Sequence, residues 1–403
     1  MSNLEITTDT LSEDILLPKR TVRIGDKAIS TPAKAIPVRK TREHEQVHGA
    51  TRGVSELYCE VDAQKLKKER RGATAIRDHL RRGANKTRDG ELTATFVSYT
   101  DTMTLPVIDA AFLVEVQRQF SDVLTVPMMP QLARSVDEAK DEDEATQDAS
   151  YQSYKKSVLR FLDQAEERAP NMPVMGMLPR LGWDFTRDLL DVYAAHDIRA
   201  YALNFDRREI TAASQVSVVS PLMNNIAGRG IEEHVLFYAI NLSPGQREAA
   251  IGARPASDFA SVGMGFDIIG GTHEAPRMPA EVFEQDEEED EEITFRLFDK
   301  EDYVRREAPI DRLPEVFPDD SALDGESVAE RVKASPNNAK FRLQKLVNAE
   351  QMGMALNALR NTENVVLETV SSKPGMTEKS LSACQDVRES FDDEYFQSGL
   401  SDF

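Results

Sequence analysis

Between residues 90 and 270 the chain alternates short, uninterrupted apolar runs with amphipathic stretches of helical period, and this rhythm limits the fold more than any other feature. Parallel strands covered on both faces lose the in–out alternation of an exposed sheet and read as continuous apolar runs joined by crossover helices. The runs predict strands at 93–98, 123–129, 172–178, 198–205, 216–220 and 264–269. The amphipathic stretches predict helices at 107–120, 150–168, 183–196 and 229–242. In the second of these, Tyr151, Tyr154, Val158, Phe161 and Leu162 recur at three- and four-residue spacing. Repeated units of this kind, with no glycine-rich phosphate loop after the first strand, predict an α/β fold of the TIM-like (β/α)8 barrel type.

The expected organisation has five parts. Residues 1–20, acidic and rich in Ser and Thr, read as a mobile tail, and 21–283 as the barrel. The barrel carries a basic insertion at 65–88 and an acidic loop at 137–148. The run EQDEEEDEE (284–292) reads as an acidic linker, because so many like charges resist packing. A C-terminal α+β unit follows at 293–375, with a strand at 293–298 and a barrel-closing helix at 339–360; 376–403 reads as a second acidic, mobile tail.

Charge and cysteine content narrow the setting. Acids outnumber bases 70 to 49, and Arg (32) outnumbers Lys (17), a balance that keeps a surface hydrated in high salt and suggests a halophilic host. Two cysteines, Cys59 and Cys384, exclude a disulfide framework and a four-thiolate metal site. The N-terminus lacks a signal-peptide pattern and no stretch has the apolar length of a membrane span, so a cytoplasmic protein with no membrane partner is expected.

Three collinear segments resemble the tRNA-guanine transglycosylases, particularly their archaeosine-forming branch and its DNA-guanine counterparts. They are VRIGDKAISTPAKAIPV (22–38), VVSPLMNN (218–225) and RPASDFASVGMGFD (254–267); the helix at 342–360, through LVNAEQMGMALNALR, is similar as well. The resemblance runs loosely over residues 20–360 and implies a TIM-type barrel that exchanges guanine in tRNA or DNA for a 7-deazaguanine base. It implies one carboxylate that attacks the anomeric carbon and another that moves protons, as covalent glycosyl chemistry requires. A homodimer, or a heteromer with an active transglycosylase, is the implied assembly.

Residue by residue the match is partial. Asp101, in Thr100-Asp101-Thr102-Met103, falls on the family's first catalytic Asp, but the following glycine is missing. The nucleophile position falls on Gly270, leaving Asp267 as its stand-in. Met128 stands where the family recognises the base with an Asp, and Gly176-Met177-Leu178 replaces its Gln-Gly-Gly. The family's three-Cys, one-His zinc site has no counterpart, so neither a metal nor any other cofactor is expected. Asp101 and Asp267 are therefore the expected catalytic pair; a catalytically degenerate relative, serving as partner subunit or nucleic-acid-binding module, is the other reading.

Three further clusters come from the residues alone. The stretch 65–88 holds ten Lys and Arg in a chain of net charge −21. Its Lys65, Lys67, Lys68, Arg70, Arg71, Arg77, Arg81 and Arg82 read either as contacts to nucleic-acid phosphates or as a solvated helix face paired with the acid tracts. His273 and Glu274, after Gly270 and Gly271, offer an alternative base and carboxylate on what reads as a loop. His44, Glu45 and His48 satisfy the literal His-Glu-x-x-His pattern, but Gly49 and turn-rich flanks oppose the helix a zinc site needs.

Overall fold

The computed structural model describes residues 4–42, 45–141, 143–274, 293–362 and 366–392. The chain opens with an antiparallel sheet of β1 (Leu4–Leu11), β2 (Pro18–Ile24) and β3 (Lys27–Ser30). Residues 4–11 and 18–20 are thus paired strand and not a tail: Ile6 and Val22 are buried while the Thr positions of β1 lie toward solvent.

Parallel strands follow. β4 (Ala33–Lys34) and β5 (Ile36–Pro37) are one strand interrupted at Ala35, whose amide still donates to the Ile269 carbonyl at 3.0 Å. β6 (Val54–Val61) lies beside β5, and β7 (Leu92–Tyr99) beside β6 over eight residues in register. The next strands are β8 (Leu124–Thr125), β9 (Val174–Leu178), β10 (Ala200–Asn204), β11 (Leu236–Ile240) and, after the short β12 (Arg254–Pro255), β13 (Ile268–Ile269). They form a six-stranded parallel sheet in the order β4-β13-β11-β10-β9-β8. Parallel bridges Ala94–Val123 and Ser98–Met128 tie β7 to β8. The two parallel sheets thus adjoin at the Ala35 interruption and through these isolated bridges.

Helices make the crossovers: α1 (Ala63–Arg70) and α2 (Ala75–Ala84) before β7, α3 (Val107–Phe120) before β8, α4 (Pro130–Ala139) and α5 (Glu144–Arg168) before β9. α6 (Trp183–Ala195) precedes β10 and α7 (Ala213–Gly228) precedes β11. Asp62 and Asp143 cap α1 and α5 by accepting backbone N–H bonds from Lys65 and Thr146 at 2.7 and 2.8 Å. The acid tract 137–148 holds the end of α4 and the solvated start of α5, where Asp143 and Glu144 suit the positive end of that helix's dipole.

Two predicted elements change type. The β-branched run 216–220 lies inside α7, whose Gln215, Val219, Leu222, Met223 and Ile226 form a buried face of helical period. The expected helix 229–242 contains β11, whose five residues are all buried and so carry no alternation to betray a strand.

β14 (Thr294–Asp299) and β15 (Val304–Pro309) form an antiparallel pair that also holds β12. Among the described residues of 38–53 the helical elements are 3-10 turns, and no crossover helix there covers β4 and β5. That cover comes from the helix Pro336–Arg360, which packs on β4, β5 and β14 and passes so close to the 49–51 turn that a Cβ at Gly353 would lie 2.6 Å from that of Thr51. Residues Glu378–Asp392 are a helix on α7, burying Ala383, Cys384 and Val387, so the first part of the expected acidic tail is ordered core. The linker 284–292 lies outside the described residues. Among the described residues no helix is long and apolar enough to cross a membrane.

Candidate functional site

The C-terminal ends of the parallel strands converge on Met128, Asn204, Asn241 and the Gly270–Glu274 turn. Asn241 adopts φ 59°, a left-handed conformation that asparagine tolerates better than most residues. Its side-chain amide donates to Asn204 Oδ1 at 3.0 Å and to Glu274 Oε1 at 3.2 Å, and its Oδ1 accepts from the His273 amide at 2.8 Å. Asn204 also donates to Glu274 Oε1, at 3.0 Å. These bonds fold 271–274 back over the strand ends. The cavity beside them, lined by Met128, Met129, Met177, Arg134, Arg180 and Arg208 among others, measures about 60 Å³, room for a few water molecules.

Beneath the turn lies a buried polar cluster that sequence reasoning missed. Glu56, in the middle of β6, is 1% exposed. It accepts a short hydrogen bond from the Tyr238 hydroxyl, accepts from the Gly271 amide at 3.0 Å, and meets His273 Nε2 at 2.5 Å. Burial alone would raise its pKa; the His273 ring, Lys34 and the Tyr238 hydroxyl outweigh that and hold the carboxyl down at about 2. Lys34, in β4, donates to the Ile269 and Gly270 carbonyls at 3.0 and 2.6 Å. Burial pulls its ammonium down to about 8 against the opposing pull of Glu56. The visible clue to both residues is a charge inside a run otherwise fit for a doubly covered strand: Lys34 in PAKAIP, and Glu56, alongside the exposed Glu60, in VSELYCEV.

A larger groove of about 760 Å³ opens beside β5, β6, α1 and α2. Arg39, Lys40, Lys65, Lys68 and Lys345 line it, with Glu56, Glu60 and Glu69 as the acids. Glu69 is engaged elsewhere, accepting from the Ile76 amide at 2.8 Å and facing Arg77 at 3.6 Å. Lys40 and Lys345 are held below the ordinary lysine range, first by burial and then by neighbouring cations: Arg39 and Arg342 act on Lys40, Lys40 and Arg207 on Lys345. Tyr58 lies in the groove wall with His273 stacked on its ring, centroids 4.3 Å apart.

The expected catalytic pair is not brought together. Asp101 follows the C-terminal end of β7, partly exposed, and accepts a turn bond from the Met103 amide at 3.2 Å. Asp267 precedes β13, at the opposite end of the parallel strands, with no exposure. Its oxygens accept two bonds from Arg20 at 2.7 and 2.8 Å, one from Thr31 at 3.0 Å and one from the Phe237 amide at 2.8 Å, which fills its acceptor capacity. Asp267 therefore fastens β2 to the strand ends and cannot approach a nucleoside as a nucleophile. Gly270 has no space for the family's Asp either: a Cβ there would run into the Tyr238 ring and lie 2.9 Å from both Ala239 O and Glu56 Oε2.

Of the basic stretch, Lys65 and Lys68 line the groove. Arg70 is ion-paired with Asp109, Arg77 lies over the Phe112 ring at 4.7 Å, Arg81 meets Asp78 at 3.1 Å, and Arg82 donates to the Asp78 carbonyl at 3.2 Å. Lys67 and Arg71 are exposed. Among the described residues the partners of Arg70, Arg77, Arg81 and Arg82 lie on α2 and α3; the acid tract 284–292 lies outside the described residues. Of the groove's other cations, Arg39 and Lys40 were signalled only by the Arg-Lys pair that follows β5, and Lys345 by nothing local. His44 lies outside the described residues; Glu45 is ion-paired with Arg331 and Arg342, and His48 Nδ1 accepts from the Ala50 amide at 3.1 Å, so neither is free for a metal. Among the described residues no group of three His, Cys, Asp or Glu is arranged to hold a metal ion.

No family model matches the sequence, and no curated protein does. Among solved structures, the enoyl reductase domain of MlnA from the macrolactin biosynthesis cluster of Bacillus amyloliquefaciens is similar at 9% identity, covering 81% of this chain and 87% of that one, with a TM-score of 0.27. A superposition that loose says nothing about fold or chemistry.

Proposed function

We propose that this chain is a nucleic-acid-binding module on a TIM-like (β/α)8 scaffold: a relative of the transglycosylases that grips tRNA or DNA through its phosphates and exchanges no base itself. The observation that carries the reading is the cationic groove, in which five Lys and Arg side chains converge although the whole chain is strongly acidic. Cations pressed against one another lower each other's proton affinity, and polyanion binding relieves that repulsion while releasing counterions. The sealed strand ends and the locked Asp267 speak against glycosyl transfer, because retaining chemistry needs two carboxylates about 5–5.5 Å apart across the sugar.

Fluorescence anisotropy with labelled tRNA, single-stranded DNA and duplex DNA, stepped from about 0.1 to 1 M salt, tests it. Binding is expected to weaken linearly on a log–log plot, and Lys65→Gln with Lys68→Gln to flatten that slope by roughly 1.4 to 1.8. Affinity indifferent to both salt and these substitutions overturns the reading. A parallel assay of radiolabelled guanine incorporation is expected to be blank; incorporation abolished by Asp101→Asn would return the chain to the enzymes.

A further inference from the structure

A second cavity, of about 160 Å³, adjoins the inner end of the groove, sharing Pro37, Lys40, His273 and Lys345 with it. It lies between β4 and β5, the Gly270–His273 turn, β14 and β15, and the helix Pro336–Arg360. Lys34, Lys40, Lys345, Arg296 and Arg305 line it, against one carboxylate, Asp258. That carboxylate is spent: Arg305 donates to both of its oxygens at 2.7 and 2.6 Å. Arg296 is held by Glu307 at 2.7 Å. No ion pair joins Lys34, Lys40 or Lys345 to a carboxylate among the described residues.

Lys34 is the informative member. It is 8% exposed, and two of its three N–H groups are used by the Ile269 and Gly270 carbonyls, leaving one. The carboxylate that acts on it most strongly is Glu56, whose oxygens already accept from Tyr238, Gly271 and His273. A buried ammonium without a dedicated counter-ion costs stability, and an acidic chain has carboxylates in abundance with which to pair it. Among the described residues no carboxylate is dedicated to it, and an anion from solution would supply the charge. A phosphomonoester fits: it brings nearly two negative charges and three strong acceptor oxygens. The cavity has room for a phosphoryl group, and the adjoining groove for the sugar and base attached to it.

We propose that this cavity binds a phosphomonoester, with Lys34, Lys40 and Lys345 as its anchors. The phosphate is either the end of a strand lying in the groove or that of a free nucleotide; only the first source rests on the nucleic-acid reading. The test compares 5′-phosphorylated, 3′-phosphorylated and hydroxyl-ended oligonucleotides of one sequence by anisotropy, and titrates inorganic phosphate and a nucleoside monophosphate by calorimetry. One phosphorylated end is expected to bind about tenfold tighter than the hydroxyl end, a charge-assisted contact's worth, with inorganic phosphate competing for the difference. Lys34→Met is expected to erase that preference while hydroxyl-ended binding stays within about twofold, and Lys34→Arg to retain it. If Lys34→Met does not fold, wild-type end discrimination and phosphate competition still decide. Equal binding of all three ends, with no heat from phosphate or nucleotide, overturns the cavity and leaves the groove standing. Phosphate or nucleotide binding without any oligonucleotide binding supports the cavity for a free ligand and overturns the groove.

Discussion

Arg20 closes on both oxygens of Asp267, at 2.7 and 2.8 Å, in a site where the carboxylate has no exposure and the guanidinium side chain only 7%. The pair joins the N-terminal sheet to the parallel strands. Removing one partner of a buried pair leaves the other charge uncompensated, so Asp267→Asn is expected to cost about 3–5 kcal/mol of unfolding free energy. Oligonucleotide affinity measured on the fraction that remains folded is expected to be unchanged. A denaturation midpoint equal to wild type would show that the pair does not hold the sheet.

Lys34 gives a signature at alkaline pH. Burial pulls its pKa from 10.5 to about 8, so the folded chain binds fewer protons there than the unfolded chain does between those values. Stability then rises with pH across that window. Relative to Lys34→Met, wild type is expected to gain about 1 kcal/mol between pH 7 and 9. Denaturant melts of both proteins at matched pH measure it; parallel curves would mean that Lys34 is not desolvated.

Glu56 acts at the other limb. Its carboxyl is held at about 2 against an ordinary 4.5, so its contribution is complete above pH 4.5 and disappears as pH falls through 2. Glu56→Gln keeps an acceptor for Tyr238 but loses the charge facing His273 and Lys34. Its acid unfolding curve is expected to lack up to about 3 kcal/mol of the wild-type fall over this range. Identical acid limbs would remove Glu56 from the account.

Both thiols are pushed by burial up to about 12, Cys59 in the groove wall at 5% exposure and Cys384 between its helix and Gly263. The thiolate is the reactive form, so a disulfide reagent at neutral pH is expected to titrate neither cysteine in the native protein and both after unfolding. Fast stoichiometric labelling of either in the native state would contradict the packing around it.

Much of the fold was legible because doubly covered strands and amphipathic helices have different periods. α3, α5 and α6 lie where Val107, Tyr151 and Trp183 open their periodic stretches, to within a turn or two. Propensity misled where tertiary packing chose otherwise. Val216, Val218 and Val219 favour extended backbone, yet the burial period of their neighbours makes a helix. The N-terminal sheet was hidden because its outward positions carry the Thr and Asp expected of a tail. The site was the least legible part. Lys34, Glu56, Tyr238, His273 and Lys345 come from segments up to 311 residues apart, and of the two carboxylates in VSELYCEV the sequence does not say which is buried or with what partners. Asp267 was misplaced for a related reason: position in a motif does not tell which end of a strand a side chain occupies.

The helix Pro336–Arg360 covers β4 and β5, strands that the chain completes some 300 residues earlier. During synthesis β4 and β5 therefore wait, one flank bare, until residues 336–360 have been translated. Nascent chains arrested before residue 336 should engage holdase chaperones, and a segment supplying 336–360 as a separate peptide should release them.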